Sequence, residues 1–301
     1  MWYNSANLFE SEAGMSKGGS WRSLLKAAGV ILLVVVIPLS VGLAASLWLV
    51  PTPQVAVIRI EGDIWGFYTA YISQALEEVG NDPEVGAVVL DIVSPGGEVS
   101  ASEGLYFDIL RLREKKPVVA SVGEMAASGA YYVASAADEI YAKPASSVGN
   151  IGVISFLPMP DFMDEELITT GPFKLSGGPE AEYVRQMELL KDTFLAAILA
   201  QREDRLTVGP EVLSRGEIYL GLQAQQIGLV DEIGSQTEAI AAAARLARLR
   251  HYQTVDRTPE LPEELSLFLS RYRGAVTAAS VAALPKNLPP GTYYRYVASP
   301  H

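Results

Sequence analysis

The chain contains no cysteine and only two histidines. Without thiols it can form neither disulfides nor a thiolate nucleophile, and the lack of cysteine fits an extracytoplasmic setting where a free thiol is a liability. His251 and His301 both fall late in the sequence, without a metal-ligand partner at useful spacing, and both read as surface residues. A Ser-His-Asp triad therefore lacks its histidine. No HExxH pair, P-loop or GxGxxG turn is present, which removes support for zinc hydrolysis, ATP and dinucleotides, and no metal or cofactor is expected. Cationic surface is scarce as well: the net charge is −12, against a nucleic-acid partner.

Charge is also absent from one continuous stretch. No charged residue lies between Lys26 and Arg59, and Gly29 to Val50 reads "GVILLVVVIPLSVGLAASLWLV", long enough to cross a bilayer. Pro38 and Gly42 are tolerable in a membrane helix, and Trp48 suits an interface. Lys17, Arg22 and Lys26 precede the run and only Arg59 follows closely, so the N-terminus is expected in the cytoplasm and the remainder outside. A cleaved signal peptide is the competing reading, with "LAA" at 43–45 a poor processing site. The expected organisation is a cytoplasmic segment over 1–26, a transmembrane anchor over 27–50, a main folded domain over 51–250 and a C-terminal extension over 251–301.

Beyond the anchor, β-branched runs alternate with helical stretches. Strands are expected at Gln54–Ile60, Gly86–Ile92, Pro117–Val122, Glu139–Pro144 and Gly152–Phe156. Helices are expected around Ile72–Val79, over Glu98–Lys116 and after Ser128. Continuous apolar strands alternating with helices imply an α/β fold with a mainly parallel sheet covered on both faces. Ala181–Gln201 reads as an amphipathic helix whose stripe of Tyr183, Met187, Leu190, Phe194 and Ile198 faces the core. "GLVDEIGSQTEAIAAAARLARL" gives a short strand, a turn and an Ala-rich helix. From His251 onward prolines and weak periodicity suggest a short helix near Glu263–Tyr272 and a loose tail.

Three segments hold residues suited to chemistry. In "DIVSPGGEVSASEG" two glycines sit where a strand turns into a helix, which permits backbone N–H groups to approach a ligand or simply makes a turn. In "EMAASGAYYVASAADEI" Ser128 stands where a helix should start, and such a serine is ordinarily an N-cap. The functional alternative makes it a nucleophile, with the following Gly129 N–H and the helix dipole aimed at an oxyanion. In "TTGPFKLSGG" Lys174 lies between Phe173 and Leu175. A loop lysine acts as a general base only as the free amine, which requires desolvation.

Together these segments resemble the signal peptide peptidase A family in its short membrane-anchored form, over roughly Gln54 to Leu249. The motifs are "SPGG", "EMAASGAYYVASAADEIYAKPASSVGNIGV", the lysine loop and "GLQAQQIGLVDEIGS". The resemblance implies a Clp protease/crotonase-like spiral of β/α units. It implies Ser128 as nucleophile, Lys174 as general base, and the amides of Gly97 and Gly129 as the oxyanion hole. Two positions depart from the family: Ala130 replaces the second glycine of "SGGYY", and "GNIGV" replaces "GSIGV", so that Asn150 takes the role of orienting the base. Lys143 and Lys191 are the alternative bases. The implied partners are peptides such as signal peptide remnants, the membrane, and other copies of the chain in a ring or dome, with the dyad completed within one chain or across an interface. Other readings are a stomatin-operon type membrane serine peptidase that clips a partner protein, a crotonase-like acyl-CoA enzyme, and a membrane scaffold whose dyad has decayed.

Overall fold

The computed structural model of the chain describes residues 20–42, 51–155, 170–174, 177–265, 267 and 292–295. The chain divides into two compact units, Met1–Pro51 and Thr52–His301. In the first, α1 (Ser20–Ile31) continues through a π-helical turn at Leu32–Val36 into a helical end at 37–42. The helix Trp21–Gly42 is the one candidate membrane span among the described residues; it is long and apolar enough to cross a bilayer. Pro38 removes a backbone donor from this helix. The wider π turn sits just before it, and the Ser40 hydroxyl donates to Val36 O at 2.6 Å. The helix starts earlier than the expected anchor, and residues 43–50, including Trp48, lie outside the described residues.

In the second unit the apolar runs form β1 (Gln54–Glu61), β2 (Val85–Ser94), β4 (Val118–Ala127), β5 (Glu139–Ala142) and β9 (Glu232–Ile233). With β10 (Gln253–Asp256) they give the parallel order β10-β1-β2-β4-β5-β9. The connections from β1 to β5 are α2 (Gly66–Asn81), α3 (Val99–Arg113) and α4 (Gly129–Ser135). Successive strand residues face opposite sides. Ala56, Ile58 and Ile60 with Val88, Leu90 and Ile92 pack into the larger core with α2, α3 and α4. Val55, Val57, Ala87 and Val89 face the alanines of α8 (Gln236–Leu246), whose small side chains let that helix lie close to the sheet. Both faces are covered, as continuous apolar strands require.

Several short elements complete the rim. β3 is Gly96–Glu98, β6 is Ser147–Gly149 and β8 is Ile218–Leu220. β6 runs parallel to the end of β4 and antiparallel to β8. β7 (Ile154–Ser155) and β3 flank β11 (Thr292–Arg295) in a second sheet, antiparallel on both sides. The stretch from His251 on therefore contributes one strand to each sheet, and the helix expected near Glu263–Tyr272 is described only at its start.

The long helix α5 (Glu180–Arg202) departs from its expected pattern. Phe194 and Ile198 are buried, whereas Tyr183, Met187 and Leu190 are only partly so. Its C-terminal end is fixed by Arg202, which is 1% exposed. The guanidinium donates to both carboxylate oxygens of Asp231 at 3.0 and 3.1 Å and to Gly228 O at 2.9 Å. Asp231 also accepts from Ile140 N–H at 2.7 Å, which ties α5 to the main sheet through one carboxylate. Helix α6 (Pro210–Leu213) and helix α7 (Gly221–Gln226) complete the chain between α5 and β9. Removing one member of a buried pair strands the other. Arg202→Met should lower unfolding stability by about 3 kcal/mol, read from urea denaturation.

Candidate active site

The site is assembled by strand register. Ser94, the last residue of β2, pairs with Ala126 of β4, so "SPGG" and Ser128 leave neighbouring strands at the same carboxyl-end rim. The short strand β6 then pairs with Met125 to Ala127, and Ser128 N–H donates to Gly149 O at 2.7 Å. Asn150, the next residue, is thereby placed beside the serine's backbone.

Ser128 precedes α4 in the N-cap position, yet it does not cap. Its φ of 53° and ψ of −123° lie in a region that glycine favours, and its side chain makes no capping bond. The residue is 1% exposed, and its hydroxyl oxygen has no hydrogen-bond partner. A strained backbone and an unspent buried hydroxyl each cost stability, and both persist only where the surroundings fix them. Those surroundings are the bond from Ser128 N–H to Gly149 O, the helical bond from Tyr132 N–H to Ser128 O at 3.0 Å, and a helix in which all seven residues are buried. Ala130, where the resemblance has glycine, is fully buried in that helix.

Gly129 is the first residue of α4, so its N–H has no partner within the helix. Gly97 sits in β3 rather than in the turn expected from the sequence. Ile64 N–H donates to Gly96 O and Glu98 N–H donates to Ile64 O, both at 2.9 Å, a parallel bridge centred on Gly97. In such a bridge the N–H of Gly97 faces the opposite side. That side is the edge on which β11 pairs antiparallel, Tyr294 opposite Gly97. Gly97 is required sterically, because a Cβ there would stand 2.2 Å from Ile64 O.

The helix that follows the serine packs through aromatic rings. Tyr132 meets Tyr106 and Phe194 at ring separations of 4.8 and 4.9 Å, joining α3, α4 and α5. Burial raises the Tyr132 phenol above its ordinary pKa, with Glu103 and Tyr106 adding to the effect. Burial likewise raises Tyr131, whose hydroxyl donates to Leu229 O at 2.8 Å. A setting that penalises exposed charge strengthens any hydrogen bond aimed at one.

The remaining expected residues lie further along the chain. Asn150 has a φ of 56°, and its side-chain amide donates to Gly216 O at 2.7 Å. Lys174 is exposed, beside a half-exposed Phe173, with its backbone N–H on Gly171 O at 3.2 Å; Leu175 and residues 156–169 lie outside the described residues. Since Ser128 Oγ has no partner, the two expected dyad members are not hydrogen-bonded within this chain. Of the alternative bases, Lys143 is exposed and Lys191 is paired with Glu188. No group of metal-ligating side chains is found among the described residues.

Comparison with known proteins decides the family. The model of peptidase family S49 matches residues 111–250. A provisionally named protease of Methanocaldococcus jannaschii is 34% identical over 220 residues, covering 68% of this chain and 70% of the relative. The chain belongs to peptidase family S49. It is by family a serine peptidase with the α/β fold of that family. Protease 4 of Salmonella typhi is 30% identical over 244 residues, which are 76% of this chain and 38% of that protein. The chloroplastic serine protease SPPA of Arabidopsis thaliana is 29% identical over 216 residues, 64% of this chain and 31% of that protein. The chain thus spans well under half the length of these two S49 relatives.

Replacing the serine distinguishes a strained nucleophile from a cap. An ordinary N-cap loses about 1 kcal/mol on mutation to alanine. Here Ser128→Ala should cost nothing or stabilise slightly, and Ser128→Gly should stabilise by about 1–2 kcal/mol, as measured by denaturant unfolding.

Proposed function

We propose that the chain is a membrane-anchored endopeptidase that attacks peptide bonds with Ser128 and uses Lys174 as general base. The observation that carries this reading is the buried Ser128 hydroxyl, free of partners on a strained backbone immediately before the Gly129 amide. The Ser128 oxygen attacks the peptide carbonyl while the neutral lysine amine takes its proton. The Gly97 and Gly129 amides hold the oxyanion, the lysine returns the proton to the departing amine, and water clears the acyl-enzyme.

The substrate is read as an extended peptide. The edge of β3 already holds residues 292–295 as an antiparallel partner, the mode in which sheet edges take up peptide strands. A substrate strand replaces that segment beside Gly97. The apolar helix Trp21–Gly42 would hold the domain near the bilayer, and the excess of Lys17, Arg22 and Lys26 over Arg59 favours catalysis on the extracytoplasmic side. Signal peptide remnants suit that position, and a relative from Enterococcus faecium, 26% identical over 189 residues, carries signal peptide peptidase in its provisional name.

The lysine is assigned to a neighbouring copy of the chain. Lys174 is exposed and unattached to Ser128 within one chain, while the half-exposed face of α5 leaves apolar surface at Val184 and Leu189 for a partner. Burial in that contact would supply the desolvation a lysine base needs. A ring of identical contacts satisfies each site in turn.

A fluorophosphonate probe should label the wild-type chain and not Ser128→Ala; equal labelling of both removes the nucleophile. Ser128→Ala and Lys174→Ala should each be inactive on peptides. A one-to-one mixture, assembled together, should recover about a quarter of wild-type turnover, since a quarter of the sites combine an intact serine with an intact lysine. No recovery places the dyad within one chain, and activity in Lys174→Ala alone removes the base.

A further inference from the structure

The strand that presents the Gly97 amide is tied down on one side by three hydrogen bonds. Two are the backbone bonds between Ile64 and β3. The third runs from Gly66 N–H to Glu98 Oε2 at 2.7 Å. Glu98 occupies the N-cap position of α3 but makes no side-chain bond to that helix. Trp65, the N-cap residue of α2, likewise offers no side-chain cap. The Glu98 carboxylate therefore caps α2 from 32 residues away, while its own backbone is bonded directly to Gly97. The carboxylate accepts a bond that α2 cannot form internally, and the positive end of that helix favours it.

We propose that Glu98 is a positioning residue for the oxyanion amide: its carboxylate pins β3 to the start of α2 and so fixes the direction of Gly97 N–H. The inference rests on the reading of Gly97 as an oxyanion donor. Beside the Ile64 bridge, the Gly96 N–H bond to Ser94 Oγ at 3.1 Å and the pairing with β11, the Gly66 contact adds an attachment through the Glu98 side chain. Displacing a catalytic donor by about 1 Å is enough to cost on the order of a hundredfold in rate. A lost donor direction affects the transition state more than ground-state binding, so the effect falls on kcat rather than KM.

The bond can be removed from either side. Glu98→Ala deletes the acceptor. Gly66→Pro deletes the donor at the first helical position of α2, where proline is favoured, and the preceding Trp65 already has the extended φ of −103° and ψ of 146° that a following proline requires. Peptide turnover in the full-length chain should show kcat lowered roughly tenfold to a hundredfold in both variants, with KM within about twofold. Glu98→Gln keeps an acceptor oxygen and should stay within about threefold of wild type. The double variant Glu98→Ala with Gly66→Pro should be no worse than the poorer single variant. Unchanged kcat in Glu98→Ala, an equal loss in Glu98→Gln, or additive losses would each overturn the proposal. If Glu98→Ala does not fold, Gly66→Pro with Glu98→Gln decides it. Hydrogen exchange read by mass spectrometry on the peptide containing Gly66 tests the clamp without catalysis. Exchange about tenfold faster in Glu98→Ala but not in Glu98→Gln supports the bond, and unchanged exchange overturns it. Absence of turnover in the wild-type chain would instead remove the peptidase reading and leave exchange to judge the clamp.

Discussion

The register between β2 and β4 organises the molecule. Because Val88 pairs with Val118 and the ladder ends with Ser94 beside Ala126, two unrelated sequence motifs finish at one height on the sheet. Each then turns out of the sheet into its own element, the first into β3 and the second into α4. A slip of one residue would exchange the apolar faces of β4 and carry Ser128 away from Gly97. The burial of alternate residues in two separate cores holds this register in place. The site is thus a consequence of sheet packing rather than of loop conformation.

Rigidity around Ser128 follows from the same packing. A serine with positive φ and an unbonded hydroxyl would relax if its neighbours permitted it. Gly149 O holds its amide, and the buried turns of α4 hold its carbonyl. Tyr131 anchors that helix to Leu229, and the Arg202–Asp231 pair anchors the same loop to α5 and β5. The chain from a buried ion pair to the nucleophile is continuous and made of short bonds. Stability is invested in a conformation that the isolated segment would not choose.

Much of the fold is legible in the sequence, because the long strands carry continuous β-branched runs and the helices between them carry apolar periodicity. The short strands β3, β6, β8, β10 and β11 are not, because three or four residues give no period and their pairing is set by distant partners. Ser128 is ambiguous from sequence for a physical reason: a capping serine and a nucleophile occupy the same position before a helix. What separates them is a backbone angle and an unbonded oxygen, neither of which has a sequence signature. Asn150 has a weak signal, since asparagine tolerates its left-handed conformation better than most residues. Its bond to Gly216 across 66 residues has none. The same holds for Glu98, which reads as the first residue of the helix that follows it and in fact caps a different one. Lys174 stands out in the sequence only as a lysine between Phe173 and Leu175; its role as base comes from the resemblance, and in a single chain it is exposed.

The 2.2 Å gap between a would-be Cβ at Gly97 and Ile64 O has a consequence for mutational analysis. The donor at this position is a backbone amide, which no side-chain exchange can delete. Even a single added methyl group would strike main-chain atoms, so replacement there reports on folding and not on chemistry. Alanine scanning is blind to this donor for that reason. Sequence variation can reach it only through the residues that hold it, Ile64 by its main chain and Glu98 by its carboxylate.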